Sequence, residues 1–529
     1  MADEPTESRG GFDYRWLSLT VTTVGSFLSL LNQTTVNIGL PKILTAFNVD
    51  VQQGHWVITG YMIALAVVIP ISGFLAEKVG MKRLYMLTLA LFVVGSALCT
   101  IAWDLPSLIL FRVLQGFGGG MLQPLGMAIV YSVITPLERP RFMAMLGLPS
   151  LVAPLLGPVA GGYLVDYISW HAMFSFNIPI GLLGLVLAGL LLRETPARRA
   201  APLDVPGFIL STMAFPALLL GFTYGARDGW TTPIAELFVV LGVTTLAAWV
   251  LVELVQPEPM LDLRLFANRV FSLTVGLSFV IQLGLFGTQL LLPLFLQTAQ
   301  GLGALEAGLI LMPQGISSFV SMIIAGRLYN RLGPRPLVCF GTVVMVMTTW
   351  LLGHASLGTS HATITWLAVA RGCSLGFCFM PVQTTAYNTV GQRQMARATA
   401  LYNGLLRIFA SFATAFLSTV LAARTLFHYS ALTGALTPDR PAFIDLANAL
   451  RPGLVALGIA SADAQDKAIA AIVAKQVAQQ SLVLAFNDVF LLLTVVSTVA
   501  LLLTLFLRDP MVEAQAATAR QPAPAPAAA

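Results

Sequence analysis

The stretch Gly73–Leu84 reads GFLAEKVGMKRL, and far downstream Gly326–Leu337 reads GRLYNRLGPRPL. Glycine stands at the first and eighth positions of both, and leucine at the third and twelfth. A basic residue stands at the sixth and tenth, Lys78 and Lys82 in one and Arg331 and Arg335 in the other. Each copy follows the second apolar run of its half of the chain. A short polar motif repeated at equivalent points of two hydrophobic halves is the mark of a chain built from two parallel repeats about an axis along the membrane normal.

The composition fits that reading. Of 529 residues, 57% are hydrophobic and 10% charged, with a mean hydropathy of +0.82. Soluble domains carry about 25% charged residues, so lipid rather than water must solvate most of this surface. The apolar runs are continuous and near the roughly 20 residues that a membrane helix needs, and they lack the alternation of a membrane barrel. The fold class is an all-α integral membrane protein. Fourteen spans are read, at 15–38, 55–76, 84–103, 107–131, 142–165, 172–192, 205–224, 233–254, 270–296, 306–327, 336–357, 362–386, 396–422 and 482–507.

Charge orients them. With the first residues placed in the cytoplasm, inner segments hold 19 of the 29 Lys and Arg residues. The short outer loops hold Lys42 and Arg227 alone, five more lie in one long outer loop, and Arg112, Arg371 and Arg407 fall within spans. Basic residues collect on the cytoplasmic side, which predicts both ends inside. No basic leader precedes a short apolar core at the acidic N-terminus. The repeat then divides the chain into a cytoplasmic N-terminus at 1–14, a six-helix bundle at 15–192, an inserted helix pair with cytoplasmic linkers at 193–269, and a second six-helix bundle at 270–507. Residues 424–481 form a long periplasmic loop within that second bundle, and the Pro/Ala-rich tail 508–529 reads as disordered. In the long loop, Ile469, Ile472, Val473 and Val477 share one helical face, as do Phe443, Leu446, Ala447 and Leu450. A helical cap over the outer mouth and a partner-docking element remain alternatives for it.

Polar residues within the spans mark candidate function, because charge inside a bilayer is costly. The first span carries LLNQTTVNIGLP at 30–41. On a helix Gln33 and Asn37 fall close together, with Asn32 and Thr35 on a neighbouring stripe. These four, with Gln115 and Gln123, are expected to line a central cavity, with interhelical hydrogen bonding as the alternative. Arg112 is the sharpest embedded charge. Among carboxylates, Asp488 lies a few residues into the last span, Glu306 at the outer edge of the tenth and Glu236 in the inserted pair. Asp488 is the preferred proton carrier, with an ion-paired interfacial carboxylate as the alternative. The four cysteines read as buried hydrophobes. The five histidines form no HExxH pair, and neither metal-ligand spacing nor a Walker-type phosphate loop occurs, so no metal, cofactor or ATP is expected and an enzyme is disfavoured. The basic residues follow the membrane instead of forming one patch, which argues against nucleic acid.

Five ordered motifs resemble those of the major facilitator superfamily. GFLAEKVGMKRL resembles its cytoplasmic loop motif, with Glu77 where aspartate is usual. LILFRVLQGFGGG (108–120) resembles its fourth-span motif, with Arg112, Gln115 and Gly116 in place. APLLGPVAGG (153–162) is similar to the fifth-span motif of antiporters. FNIPIG (176–181) and NQTTVNIGLP are similar to fourteen-span drug/proton antiporters of the EmrB/QacA type, and the long loop to the EmrB-like branch. The resemblance covers nearly the whole chain. It implies a major facilitator fold, and a multidrug exporter of amphipathic small molecules coupled to the proton gradient. It implies proton transfer at Arg112 and a cytoplasmic gate of Gly73, Glu77, Lys78, Gly80, Lys82, Arg83, Arg327, Arg331 and Arg335. Pro154, Gly157, Pro158, Gly161 and Gly162 are then a hinge on the rocking interface between bundles. A bacterial inner membrane, a periplasmic membrane-fusion adaptor and an outer-membrane channel are also implied. Such antiporters usually have aspartate where this chain has Asn32, which keeps open an uncoupled exporter of a metabolite or lipid-like compound.

Overall fold

A computed structural model describes residues 13–507 except 136, 195–203, 258, 392–393, 436–440 and 457–460. The expected N-terminal segment (through residue 12) and the tail 508–529 lie outside the described residues.

The first bundle comprises α1 (Tyr14–Phe47), α2 (Val51–Gly54), α3 (Trp56–Val79), α4 (Met81–Thr100), α5 (Leu105–Val133), α6 (Arg139–Leu146), α7 (Leu148–Tyr167), α8 (Ala172–Ser175) and α9 (Asn177–Leu191). The inserted pair is α10 (Val205–Asp228) and α11 (Pro233–Val255). The second bundle comprises α12 (Arg269–Leu294, continued by a π turn to Ala299), α13 (Ala304–Leu332), α14 (Pro334–Leu352), α15 (His361–Asn388), α16 (Met395–Ala435), α17 (Pro441–Ala456) and α18 (Ala462–Thr504).

Local chemistry sets the ends of these helices. Asp104 and Ser107 cap α5 reciprocally, as in a capping box. Asn48 closes α1 in the left-handed region, with φ 50°. The two glycines at the eighth position of the repeat, Gly80 and Gly333, have φ 94° and 77°, a backbone only glycine adopts without strain. They let the chain turn from α3 into α4 and from α13 into α14 with no intervening loop. The repeat is therefore structural as well as sequential.

Twelve described helical segments are long and apolar enough to cross a membrane, so the chain is a multi-pass membrane protein. The other two expected spans are α1 and α7. At 34 residues α1 has the length, but its serines and threonines, with Asn32 and Gln33, dilute its apolarity. The expected span 142–165 is broken at Gly147 into α6 and α7, with Pro149 in the first turn of α7.

Within 424–481 the structure has the helices that the periodicity suggested. The stretch is mostly helix, because α16 and α18 run on beyond their apolar segments through sequence rich in alanine, a strong helix former. Ile469, Val473 and Val477 of α18 are buried with Ala447 and Leu454 of α17, flanked by Leu450 and Ile472. The side chains of Phe443 and Leu446 lie outside the described ones.

The cores show how the bundles meet. The turns at Gly80 and Gly333 and the described residues between α5 and α6, between α11 and α12 and between α15 and α16 share one end of the molecule, hereafter the basic end, as the contacts Glu77–Arg397, Arg397–Pro259, Arg139–Asn388 and Asn330–Leu137 show. Near it one continuous core joins both bundles and the inserted pair, including Met127, Tyr131 and Phe142 of the first bundle, Tyr329, Tyr387 and Tyr402 of the second, and Phe215 and Trp249 of the pair. Toward the opposite end the cores separate. One holds Val36, Val57 and Phe174 of the first bundle, another Leu292, Phe295 and Phe486 of the second. Across the bundles, α16 packs on α3 and α5, and α13 on α6 and α7. α10 packs on both α3 and α16, and α11 on α10.

Candidate functional site

The polar patch of α1 is divided among four neighbouring helices. Asn32 is buried, and its Oδ1 accepts from Asn177 Nδ2 of α9 at 3.1 Å. Thr34 donates to Ala153 O of α7 at 3.2 Å. Thr35, also buried, donates to Asn32 O at 3.2 Å. Gln33 alone reaches the second bundle. Its Oε1 accepts from Arg407 Nη1 of α16 at 3.2 Å, and its Nε2 lies 3.3 Å from Met62 Sδ of α3. Asn37 is exposed. The expectation that Asn32 and Thr35 line a central cavity is thus corrected, because both serve helix–helix contacts inside the first bundle. Helical spacing fixes relative angles, not which neighbour each stripe faces.

Arg112 is buried at 1% exposure. Its Nε donates to Val57 O at 3.2 Å and its Nη1 to Gln115 Oε1 at 2.6 Å. Gln115 Nε2 donates onward to Ser96 Oγ of α4 at 2.7 Å. The guanidinium lies 4.1 Å from the centre of the Tyr61 ring and 5.7 Å from that of Phe174, so π faces and dipoles substitute for an anion. Gln115 is therefore buried within the first bundle. Gln123, half-buried, lies one turn from Met127 on the face of α5 turned to the second bundle, and so at the bundle interface.

Arg371 occupies the matching place on α15. It is fully buried, and Nη2 donates to Gly284 O of α12 while Nε and Nη1 have no partner. Among the described residues none of Arg112, Arg371 and Arg407 makes an ion pair.

The gate residues diverge. Glu77 forms a two-point ion pair with Arg397 of α16, at 2.8 Å to Nη2 and 3.1 Å to Nε. It joins the bundles at the basic end, and both side chains are mostly buried. A Cβ on Gly73 would lie 2.9 Å from Ala396 O, so this glycine lets α16 approach α3. Gly326, at the same position of the second repeat, faces Pro140 O of α6 at 3.0 Å on the same measure. Lys78 is exposed over Phe74. Lys82 donates to Gly189 O at 2.7 Å within the first bundle, and Arg83 pairs with Glu194, just past the end of α9, at 3.2 Å. Arg327, Arg331 and Arg335 are exposed. Of the expected gate charges, then, Glu77 spans the bundles through its ion pair.

Sequence reasoning missed three partners. Arg397 read as one more inner charge, although a half-buried Glu77 calls for a cation across the seam. Arg139 of α6 is buried and reaches Tyr387 O and Asn388 Oδ1 of α15 at 3.4 and 3.3 Å. Met127 accepts long contacts from Gln383, Tyr387 and Asn403, with the Tyr131 and Tyr387 rings 5.2 Å apart. Nothing in an apolar run distinguishes such a methionine.

The remaining candidates lie elsewhere in the fold. Asp488 of α18 pairs with Arg424 and His428 of α16, each at 2.6 Å, near the end opposite the basic one. It lies within the second bundle, not at the interface. Glu306 is exposed and caps α13 through Gly303 N at 3.3 Å, and Glu236 is exposed in the first turn of α11. A Cβ on Gly157 would meet Thr34 Oγ1 at 2.0 Å, and one on Gly161 would meet Thr35 at 3.1 Å, whereas Gly162 has open space. Gly157 and Gly161 thus seat α7 on α1 within the first bundle. The side chains of Pro154 and Pro158 lie outside the described ones.

Comparison with known proteins agrees with this architecture. The chain is 32% identical over 93% of its length to an uncharacterized MFS-type transporter, YhcA, of Bacillus subtilis, covering 92% of that protein. It is 32% identical to a multidrug resistance protein B homolog of Mycobacterium tuberculosis, over 79% of each chain. It is 29% identical to the multidrug export protein EmrB of Haemophilus influenzae, over 88% of this chain and 91% of that one. The crystal structure of the human organic anion transporter MFSD10 (TETRAN) shares the fold, with TM-score 0.59 at 14% identity, covering 91% of this chain and 99% of that one. The sequence pattern of the Major Facilitator Superfamily matches residues 22–432, and the chain belongs to that superfamily of membrane transporters.

Proposed function

We propose that this chain is a secondary active exporter of amphipathic small molecules working by alternating access in a bacterial inner membrane. One observation carries the reading: the bundles share a core and the Glu77–Arg397 pair at the basic end, while toward the other end their cores are separate. That is the arrangement of a transporter closed on one side. The basic end faces the cytoplasm under the charge rule, with fourteen spans and both ends inside, so this is the outward-facing state. Relatives named for multidrug and lincomycin resistance support drug efflux.

Substrate enters from the cytoplasm or inner leaflet when the α3–α16 and α13–α6 seams part. It rests between the bundles against Gln33, Met62, Gln123 and Arg407, and leaves when the seams close. Arg407, a cation between the bundles with no ion pair among the described residues, favours neutral or weakly acidic molecules over organic cations. The proton gradient drives the cycle and no cofactor is needed. Arg112 with its Tyr61, Gln115 and Ser96 contacts, and Asp488 with His428, are the groups proposed to couple proton movement to it. The helical extension formed by α16, α17 and α18 is the proposed docking element for a periplasmic adaptor leading to an outer-membrane channel.

A second reading rests on a specific observation. Among the described residues no carboxylate lies against Arg112, Arg371 or Arg407, which favours an uncoupled exporter of a metabolite or lipid-like compound. Proteoliposomes loaded with a neutral or a weakly acidic amphipathic dye decide between them. Proton movement triggered by dye supports the antiporter, dye transport without it supports the uncoupled exporter, and no transport of either dye overturns both.

A further inference from the structure

The inserted pair carries chemistry that no transport step above uses. Asp204 caps the basic end of α10, and Glu253 lies in the last turn of α11. They are 3% and 0% exposed. Asp204 Oδ1 accepts from Gly207 N at 2.9 Å and Gln256 Nε2 at 3.1 Å, while Oδ2 has no partner. Glu253 Oε1 accepts from Trp249 Nε1 at 3.0 Å and Leu261 N at 3.4 Å, while Oε2 has none. A Cβ placed on Gly207 would lie 2.2 Å from Asp204 Oδ2 and 3.0 Å from Glu253 Oε1. Those two oxygens are therefore no more than about 5 Å apart, a range in which like charges oppose each other's ionisation.

The charged groups around them do not relieve this. Asp262, on the segment after α11, adds a third carboxylate, 9% exposed. Arg264 of the same segment donates to Gln256 O at 2.9 Å. Arg397 of α16 is engaged by Glu77 and by Pro259 O, and Arg269 at the start of α12 is exposed. Among the described residues no cation pairs with Asp204 or Glu253. Two buried carboxylates this close, each with an orphaned oxygen, are not both ionised without a large cost.

We propose that Asp204 and Glu253 share one bound proton, which makes the basic end of the inserted pair a proton-binding site tied to the gate. The tie is the stretch after α11, through Pro259 and Asp262. Its Pro259 O accepts from Arg397 Nη1 at 3.2 Å, and its Asp262 Oδ2 accepts from Gln394 Nε2 at 3.0 Å. It thus touches the start of α16 at two points, one on the arginine that pairs with Glu77. Loss of the shared proton leaves two buried like charges that push α10 and the end of α11 apart, and this segment with them. The inference goes beyond export and does not depend on it.

The test uses the purified full-length chain in lipid nanodiscs, with readouts other than transport. Infrared spectroscopy follows the protonated-carboxyl band with pH. Hydrogen–deuterium exchange, corrected for the intrinsic pH dependence of amides, follows peptides covering 256–264. In wild type the band is present at neutral pH and disappears on alkaline titration, and exchange of the segment rises with its loss. Glu253→Gln and Asp204→Asn, which keep shape and remove one acid, lose that band and flatten the exchange profile. The proposal is overturned if wild type has no such band at neutral pH, if the band survives both substitutions, or if segment exchange rises with pH equally in Glu253→Gln. The wild-type titration decides by itself if neither variant folds.

Discussion

Replacing Glu77 by Gln tests the closed basic end most directly. The Glu77 carboxylate holds Arg397 at two points, 2.8 and 3.1 Å, with side chains 16% and 17% exposed. Gln keeps the length but accepts through one oxygen and carries no charge, leaving Arg397 with Pro259 O. Breaking a buried, doubly bonded charge pair costs about 2–5 kcal/mol; partial exposure argues for the low end, about 2 kcal/mol. The pair joins the bundles only where the basic end is closed, so this cost falls on the closed state alone. At 1.4 kcal/mol per factor of ten, the balance moves about 30-fold toward a basic end that is open. The assay is alkylation of a reporter, Leu401→Cys, placed in the shared basic-end core of a variant lacking the four native cysteines. A membrane-impermeant thiol reagent is applied from the basic side. Glu77→Gln is expected to raise the alkylation rate about 30-fold if opening precedes reaction, and Arg397→Gln to raise it similarly. The double variant should add little to either. Unchanged alkylation in Glu77→Gln, or fully additive effects of the two, would refute the latch.

Gly73→Val places a branched side chain where a Cβ alone would lie 2.9 Å from Ala396 O. Overpacking of about 1–3 kcal/mol should part α3 from α16 and raise the same alkylation rate. Asp488→Asn removes the anion shared by Arg424 and His428; dye-triggered proton movement in proteoliposomes should fall, and an unchanged signal would leave Asp488 a structural partner. Glu138, in the turn before α6, is set by opposing influences. Desolvation raises its pKa, and the Thr135 amide and hydroxyl with the Arg15 guanidinium outweigh it, so the net value is lowered. A lowered folded value means its contribution is present above the ordinary carboxylate range and is lost as pH falls through the folded value. Thermal unfolding followed from neutral pH into the acid range should therefore have a shallower acid slope in Glu138→Gln than in wild type.

The fold was largely legible because membrane helices must be long, apolar and internally hydrogen-bonded, and because the repeat marks equivalent turns. Gly80 and Gly333 carry that legibility in the backbone, since both need positive φ. Span ends were less legible. Alanine-rich sequence lets α16 and α18 continue beyond their apolar runs, which periodicity suggested for 463–480 but could not join to the spans. At the site, Arg112 was legible as an embedded charge, whereas Gln115, read as lining the cavity, instead accepts from Arg112 inside the first bundle, three residues along the same helical face. The partner of Glu77 was not legible, because Arg397 is far away in sequence and looks like any inner-loop cation. The Met127 contacts were illegible for another reason, since hydropathy assigns a methionine to an apolar face without saying which helix meets it.

The two halves of the repeat share geometry but not chemistry. Gly73 and Gly326 each admit the partner bundle at the basic end. Four residues on, the first copy has Glu77 and the second Asn330. Glu77 takes the cation of α16. Asn330 donates to Leu137 O at 2.6 Å, while Arg141, beside Pro140 on α6, stacks on the Trp16 ring at 4.8 Å. The first seam thus carries a carboxylate–guanidinium pair, while at the matching position of the second repeat the contact is an amide donating to a carbonyl, with the Arg139 guanidinium reaching α15 nearby. The inserted helices follow the same division, since α10 packs on α3 and α16, the charged seam, and the segment after α11 touches Arg397. An ion pair depends on its surroundings far more than a neutral hydrogen bond does. The α3–α16 seam, which holds the Glu77 carboxylate, is therefore where proton binding, pH or salt can bias the opening of the basic end.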